Sequence, residues 1–176
     1  MDELALTCLS RGSQETTIHY MEINNTKKSK SGSSKATPPP SSQAARKRMQ
    51  AARQRDTAAE IALRSALHRM GLRFRVNVNL IAGLRRRADV VFSSARVAVY
   101  VDGCFWHGCP IHGTWPKANA EFWRAKIETN RQRDADTNRR LTEAGWMVIR
   151  VWEHEDPQEA AKMISELIKK RCANLP

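Results

Sequence analysis

The sequence predicts one small α/β domain with the element order α-β-β-β-α-β-α, preceded by a tail. Apolar residues recur at helical spacing in separate stretches, which indicates helices that each bury one face. Between these stretches lie short runs rich in valine, with the length and composition of buried strands. A loop rich in glycine, cysteine and histidine follows the third strand, and this composition is typical of a metal-binding loop. The 176 residues are enough for a single core.

The chain is strongly basic, with 30 Lys and Arg against 18 Asp and Glu and a formal net charge of +12. This excess favours a polyanionic partner such as DNA, although a merely soluble basic protein has the same property. Residues 1–45 are predicted to be a disordered basic tail, because residues 24–42 combine Lys, Ser, Thr and Pro with almost no apolar side chain. The tail either follows DNA phosphates or solubilises the chain. Residues 46–176 are predicted to form the folded domain.

The first predicted helix begins after Asp56. Thr57 and Glu60 have the spacing of a capping box, in which each side chain bonds the backbone amide of the other residue. Gly71 is expected to end the helix as its C-cap. The expected core face repeats at i, i+4 and i+7 and consists of Leu63, Leu67 and Met70.

Three strands are predicted next. Leu72, Phe74 and Val76 alternate with arginines, which indicates a half-buried strand, and the runs 88–92 and 97–101 are predicted to be buried strands.

The second half of the domain is predicted to contain a long helix over residues 119–144 that stops at Gly145, and then a strand over residues 146–152. Asp156 is expected to cap a final helix over residues 157–171, with proline at its first position. The expected core face of that helix is Ile164, Leu167, Ile168 and Cys172.

The cellular location bears on the cysteines. No apolar run is long enough to span a bilayer, and the first residues do not resemble a secretory signal, so a cytoplasmic location is expected. Thiols are kept reduced there, which favours metal ligands or free thiols over disulfides. Cys8 lies in the tail and is interpreted as a bystander, and Cys172 as a buried thiol.

The densest cluster of chemically active residues is the loop over residues 103–117. Thiolates and imidazoles are the ligands that a tetrahedral zinc ion takes in proteins. Three candidates lie within nine positions: Cys104, Cys109 and His112. His154 follows a strand whose end is expected beside the loop, so it is predicted to complete a Cys2His2 site. The alternative is two free thiols and two surface histidines.

Three further residues are candidates for chemistry. His107 is not among the four predicted zinc ligands. An imidazole held by a rigid loop can act as a general base near neutral pH. Asp134, on the long helix, is expected to orient that imidazole. The alternatives are that His107 has only a structural role and that Asp134 is a solvated helix residue. Asp89 enters an apolar strand, where it either holds Mg²⁺ with a backbone carbonyl or pairs with a neighbouring arginine.

Aromatic residues are few, and several lie near the loop. Phe105 and Trp106 are in it and Trp123 begins the long helix, so their rings are candidates to wedge between base pairs, unless they belong to the core. Phe122 is expected to be a core residue, and Trp115 fits either class.

Several segments, in order and at matching spacing, closely resemble the very short patch repair (Vsr) endonuclease family. The resemblance covers roughly residues 43–160. The segments are Arg55-Asp56-Thr57 with Glu60, and residues 71–76, 87–91, 101–112, 121–134 and 145–154. The first 42 residues fall outside it.

The resemblance implies a nuclease of the PD-(D/E)XK superfold that nicks DNA 5′ to the thymine of a T·G mismatch, which deamination of 5-methylcytosine produces. It implies that Asp89 and the backbone carbonyl of Val101 bind Mg²⁺, and that Glu60 reaches metal-bound water. It also implies that His107 is the catalytic histidine and that Asp134 orients it.

The same resemblance assigns two further groups. The zinc ligands that it implies are Cys104, Cys109, His112 and His154. The rings that it implies intercalate beside the mismatch are Phe105, Trp106 and Trp123. Asp102 stands where some members carry a histidine, which leaves open whether it binds metal.

The expected partner is double-stranded DNA with a T·G mismatch, acted on by a monomer at the nucleoid, with a functional link to a cytosine-5 DNA methyltransferase. Two other functions remain open. One is a zinc-stabilised DNA-binding module without catalysis, and the other is a nuclease without mismatch specificity.

Overall fold

A computed structural model describes residues 38–40, 42–51, 55–83 and 85–173. Every described residue belongs to one compact unit, Ser34–Pro176. The elements, in chain order, are α1 (Gln43–Ala51), α2 (Ala58–Arg69), β1 (Arg75–Asn79), β2 (Arg87–Phe92), β3 (Val97–Asp102), α3 (Ala120–Glu143), β4 (Met147–Trp152) and α4 (Pro157–Ala173). Among the described residues, no helix has the length and apolar character needed to cross a membrane.

The four strands form one mixed sheet in the order β1-β2-β3-β4. The pairs β1–β2 and β2–β3 are antiparallel. β4 pairs with β3 in parallel, from Val97↔Met147 to Asp102↔Trp152, and α3 makes the crossover between them. Since β3 and β4 are parallel, Asp102 and the residues after Trp152 meet at the same edge of the sheet.

Helices cover both faces of the sheet, as the predicted α/β class requires. On one face α2 and α4 pack together against the strands, with Leu63, Leu67 and Ile164 almost fully buried. On the other face α3 packs through Leu141 against a smaller cluster that includes Tyr100.

The ends of α2 follow the predicted signals closely. Thr57 Oγ1 accepts from the Glu60 amide at 3.3 Å, but the Glu60 carboxylate accepts from the Asp56 amide at 3.1 Å rather than from that of Thr57. Gly71 has φ +76° just after the helix, and its amide bonds the carbonyl of His68 in a Schellman arrangement. The expected burial of Met70 is wrong, because this C-cap residue is 43% exposed.

The first strand lies further along the chain than the alternation predicts. Leu72 and Phe74 pack against the core but are not in the sheet, and the ladder begins at the pair Arg75↔Val91. β2 ends one residue later, at Phe92, so there is little strand left to pair with residues before Arg75. Val76 was expected to be buried and is 45% exposed. The alternating pattern therefore correctly indicated that Leu72 and Phe74 contact the core. It did not show that they lie outside the hydrogen-bonded pairs of the sheet.

The remaining elements agree with expectation except at two places. α1 was not predicted and begins inside the predicted tail, while residues 1–37, including Cys8, lie outside the described residues. Cys172 was expected to be buried but is exposed, because α4 carries it beyond the core in its last turn. Asp156 caps α4 as predicted, accepting from the amides of Gln158 and Glu159.

Candidate active site and metal centre

The loop after β3 and the residues after β4 bring together two thiols and two imidazoles. The ligand atoms of Cys104, Cys109, His112 and His154 all lie within 4.8 Å of one another. The Sγ atoms of Cys104 and Cys109 are 3.0 and 3.8 Å from Nδ1 of His154. Tetrahedral zinc with bonds of about 2.0–2.3 Å separates its ligand atoms by about 3.3–3.8 Å. The donor set and its spacing therefore fit a zinc ion.

Backbone contacts and glycines shape this loop. The amides of His107 and Cys109 bond the carbonyls of Gly103 and Cys104 at 3.1 and 2.9 Å. Gly108 has φ +64°, and a Cβ added there would lie 2.9 Å from the side chain of Ile127 on α3. Only glycine allows the loop to turn so close to that helix.

The side chain of His107 contacts α3. Its Nδ1 donates to Oδ2 of Asp134 at 2.5 Å, so the structure brings together the two residues that were expected to form a pair. Burial lowers the pKa of His107, but the Asp134 hydrogen bond and the charge of Asp102 outweigh it, and the pKa is raised overall. Since Nδ1 is committed to Asp134, Nε2 is the nitrogen left to exchange a proton with another group.

Two charged residues meet at this site, Asp102, whose role the sequence left open, and Arg150, which the sequence analysis did not predict. Asp102 is 6% exposed, and both of its carboxylate oxygens accept from Nη1 of Arg150 at 2.7 Å. An aspartate paired in this way is not a free metal ligand. Arg150 itself was not expected at the site, and its sequence signal is a lone charge inside the apolar strand β4.

Asp89 lies at the point where β2 and β3 separate. Their ladder stops at Val90↔Val99, and one Asp89 oxygen accepts from the amide of Val101 at 2.8 Å. Burial, the largest cause, raises the pKa of Asp89 to about 6. The alternative of a surface aspartate paired with a neighbouring arginine is wrong, since its hydrogen-bond partner is a backbone amide and its environment is half-buried.

Glu60 reaches this region from the first turn of α2. Glu60 is 6% exposed, and its carboxylate is held by Thr57 of the helix cap and by Nη2 of Arg64 at 2.7 Å. Arg64 also pairs with Asp56 and, like Glu60, is near enough to Asp89 to affect its pKa. Arg64 is a second charged residue that was not expected here.

Four aromatic rings form one cluster beside the loop. Phe105 contacts Trp106 and Trp123 with ring centroids 5.1 and 5.3 Å apart, and Trp106 is 36% exposed. Phe122 was expected in the core but is half-buried and packs on Trp123 at 5.2 Å. Trp115 is 55% exposed.

An open cavity of about 260 Å³ adjoins His107. Four arginines contribute to its lining, together with polar residues of α3: Arg86, Arg87, Arg133, Arg150, Asn130 and Thr137. A histidine–aspartate pair at a basic cavity, on a mixed α/β scaffold, defines a class of protein suited to acid–base chemistry on a polyanion.

Comparison with known proteins gives the family. A sequence profile described as DNA mismatch endonuclease Vsr matches residues 41–112. The type II nicking enzyme V.NaeI of Lentzea aerocolonigenes is 45% identical over 122 residues, which are 68% of this chain and 74% of that protein. The DNA mismatch endonuclease Vsr of Escherichia coli strain K12 is 42% identical over 109 residues, 61% of this chain and 67% of that protein.

The chain belongs to the Vsr family of DNA endonucleases. The resemblance predicted from the sequence motifs is thereby confirmed.

Proposed function

We propose that this protein is a strand-specific, magnesium-dependent endonuclease that nicks DNA 5′ to the thymine of a T·G mismatch and so starts very short patch repair. The observation that carries the proposal is that one rigid loop presents both His107 and the ring of Trp106. A group that exchanges protons and a group that unstacks bases are thus adjacent in the chain. The names of the relatives, nicking enzymes and a mismatch endonuclease, agree with it.

His107 is the general base in this proposal. Its Nδ1–H is held by Asp134, so Nε2 accepts the proton of the water that attacks the phosphorus atom. Asp134 keeps the imidazole in the required tautomer and stabilises the imidazolium that forms. The water oxygen forms a new bond to phosphorus, the bond from phosphorus to the leaving sugar oxygen breaks, and that oxygen takes a proton from solvent.

Asp89 and the backbone carbonyl of Val101 would hold Mg²⁺, and Glu60 would accept a hydrogen bond from a water molecule on that ion. Within a strand the amide and carbonyl of one residue point to the same side, so the Val101 carbonyl is expected on the side where its amide meets Asp89. A bound Mg²⁺ supplies charge to offset the scissile phosphate. This arrangement is the one expected of a PD-(D/E)XK nuclease.

The proposed zinc ligands are Cys104, Cys109, His112 and His154. Burial and the neighbouring thiol of Cys109 raise the pKa of Cys104 to about 12, so the thiolate needs a cation beside it. Four protein ligands close the site, which gives zinc the structural role of fixing the loop that carries His107.

Phe105, Trp106 and Trp123 are proposed to unstack the mismatched pair. Their rings contact one another in one partly exposed cluster. The free energy needed to unstack a base is smaller at a mismatch than at a matched base pair. The proposed setting is a monomer acting at the nucleoid in the cytoplasm, where a cytosine-5 methyltransferase creates the sites whose deamination yields the mismatch.

The test is a nicking assay with Mg²⁺ on two labelled duplex pools that differ only by T·G in place of C·G, in many flanking contexts. We expect one nick 5′ to the mismatched thymine, which is absent from the matched pool and is abolished by EDTA. Equal cutting of both pools would establish a nuclease without mismatch specificity. Tight binding without cutting, with zinc present, would establish a DNA-binding module instead.

A further inference from the structure

Arg150 lies at the centre of the candidate site, and its guanidinium group contacts other protein side chains. It projects from β4, and its side chain is 21% exposed. Nη1 donates to both oxygens of Asp102 at 2.7 Å, and Nη2 lies 3.1 Å from Oδ1 of Asp134. Nε donates to Asn138 on α3 at 3.1 Å, and the guanidinium stands over the ring of Tyr100 at 5.0 Å.

Both carboxylates that Arg150 holds face the same imidazole nitrogen. Nδ1 of His107 is 2.5 Å from Asp134 and 3.6 Å from Asp102. Two ionised carboxylates that both lie this close to one nitrogen atom repel each other. This repulsion either displaces one side chain or raises its pKa until it is protonated. A guanidinium that is hydrogen-bonded to one carboxylate and ion-paired with the other offsets this repulsion and restricts their separation.

We propose that Arg150, together with Asp102, is a positioning residue for the His107–Asp134 pair. Arg150 holds Asp134 by one oxygen, which leaves the other oxygen aligned with Nδ1 of His107. Asp102 anchors the guanidinium from β3, so the pair is braced between the sheet and α3. The inference rests on the proposed role of His107 as base.

The contacts separate this role from direct binding of a DNA phosphate. A phosphate ligand would need free guanidinium donors, whereas Nη1 and Nε of Arg150 are hydrogen-bonded to protein acceptors and Nη2 is ion-paired with Asp134. Loss of Arg150 should therefore slow the chemical step and leave DNA affinity nearly unchanged. A phosphate contact would instead weaken binding.

The first experiment observes the His107–Asp134 hydrogen bond without DNA. In ¹⁵N-labelled full-length protein, the Nδ1–H proton of His107 should give a downfield resonance that His107→Ala and Asp134→Ala abolish. Arg150→Met should lose or broaden this resonance, and Arg150→Lys should restore part of it. The control is Arg86→Met, because Arg86 also bridges the sheet side to α3, through Asp136, and should keep the resonance.

The second experiment measures single-turnover nicking and duplex affinity on the same variants. Arg150→Met should nick about 10²-fold more slowly, in the range that a mispositioned general base costs, with Kd changed by about twofold or less. Recovery of part of the rate by added guanidinium ion would show that the missing group itself is responsible.

The outcomes are distinguishable. An unchanged Nδ1–H resonance in folded Arg150→Met overturns the positioning role, even if the parent nicks DNA. A parent that does not nick, with the resonance lost in Arg150→Met, overturns the proposed function and leaves the positioning role standing. If Arg150→Met does not fold, Asp102→Asn takes its place, because asparagine removes the charge that anchors the guanidinium, and an undisturbed resonance in that variant overturns the proposal.

Discussion

The cysteine–histidine cluster and the acidic region around Asp89 are built in opposite ways. The cluster, Cys104, Cys109, His112 and His154, has its ligand atoms within 4.8 Å of one another and closes on itself. Asp89 instead bonds one backbone amide, and Glu60 nearby is held by Arg64 and the cap of α2. A closed set of four ligands suits a permanent ion, whereas one or two carboxylates suit an ion that also binds water and substrate.

The difference predicts that changes in the cluster act on stability and that changes around Asp89 act on catalysis. The following predictions test that division, from the largest expected effect to the smallest.

Cys104→Ala should destabilise the domain by several kcal/mol and lower Tm by about 10 °C or more, since a structural zinc site contributes directly to folding. The measurement is thermal unfolding by circular dichroism, with zinc content by elemental analysis. Cys172→Ala is the matched control, because that thiol is exposed and lies outside the cluster. Equal stability of the two variants would contradict a structural metal.

Asp89→Asn should reduce nicking on the order of 10³-fold without loss of stability. Burial already disfavours the charged carboxylate, as its pKa of about 6 indicates, and asparagine keeps an oxygen for the Val101 amide. Single-turnover nicking and Tm are measured on the same preparation. A variant that nicks like the parent removes Asp89 from the mechanism.

Trp106→Ala should reduce the preference for mismatched over matched duplex by about tenfold, because stacking on one base contributes about 1–3 kcal/mol. The readout is the ratio of nicking rates on the two duplexes. Trp115→Ala serves as the control, since Trp115 is 55% exposed and has no ring contact among the described aromatic pairs. A ratio that stays the same would place Trp106 outside recognition.

Glu60→Gln separates the two roles of this residue. Glutamine can still accept from the Asp56 amide in the cap, but it loses the charge that pairs with Arg64. We expect the free energy of unfolding to fall by about 1 kcal/mol, as for other hydrogen-bonded pairs. The nicking rate should fall about tenfold, which corresponds to about 1.4 kcal/mol. If Thr57→Ala, which weakens the cap, lowers nicking as much, the effect of Glu60 is structural.

Asp136→Asn shows what an acid outside the proposed metal-binding and catalytic residues contributes. Slight burial is outweighed by hydrogen bonds from Arg140, Arg139 and Arg86, which lower the pKa of Asp136 to about 2. A lowered pKa means stability that is present above the ordinary value of 3.8 and is lost as pH falls towards 2. The variant should be about 1 kcal/mol less stable at pH 7. Urea unfolding against pH should show the gap closing between these two values.

Much of the fold was predictable because local signals agree with it. Gly71 and Gly145 both have positive φ just after α2 and α3, and Asp156 caps α4 as its spacing indicates. Local signals failed where burial depends on neighbours. Leu72 and Phe74 alternate like a strand but contact the core from outside the ladder, and Cys172 continues an apolar stripe past the end of the core.

For the site, the sequence by itself determined the residue types and their order: the Cys-x4-Cys-x2-His loop, His107 within it, and the family to which they belong. Only the tertiary structure decided which charges meet. Arg150 lies 48 residues from Asp102 in the chain, yet parallel pairing of β3 and β4 brings them together. Spacing along a chain fixes neighbours on one element, whereas contacts between elements depend on strand register and helix packing, which no single segment carries.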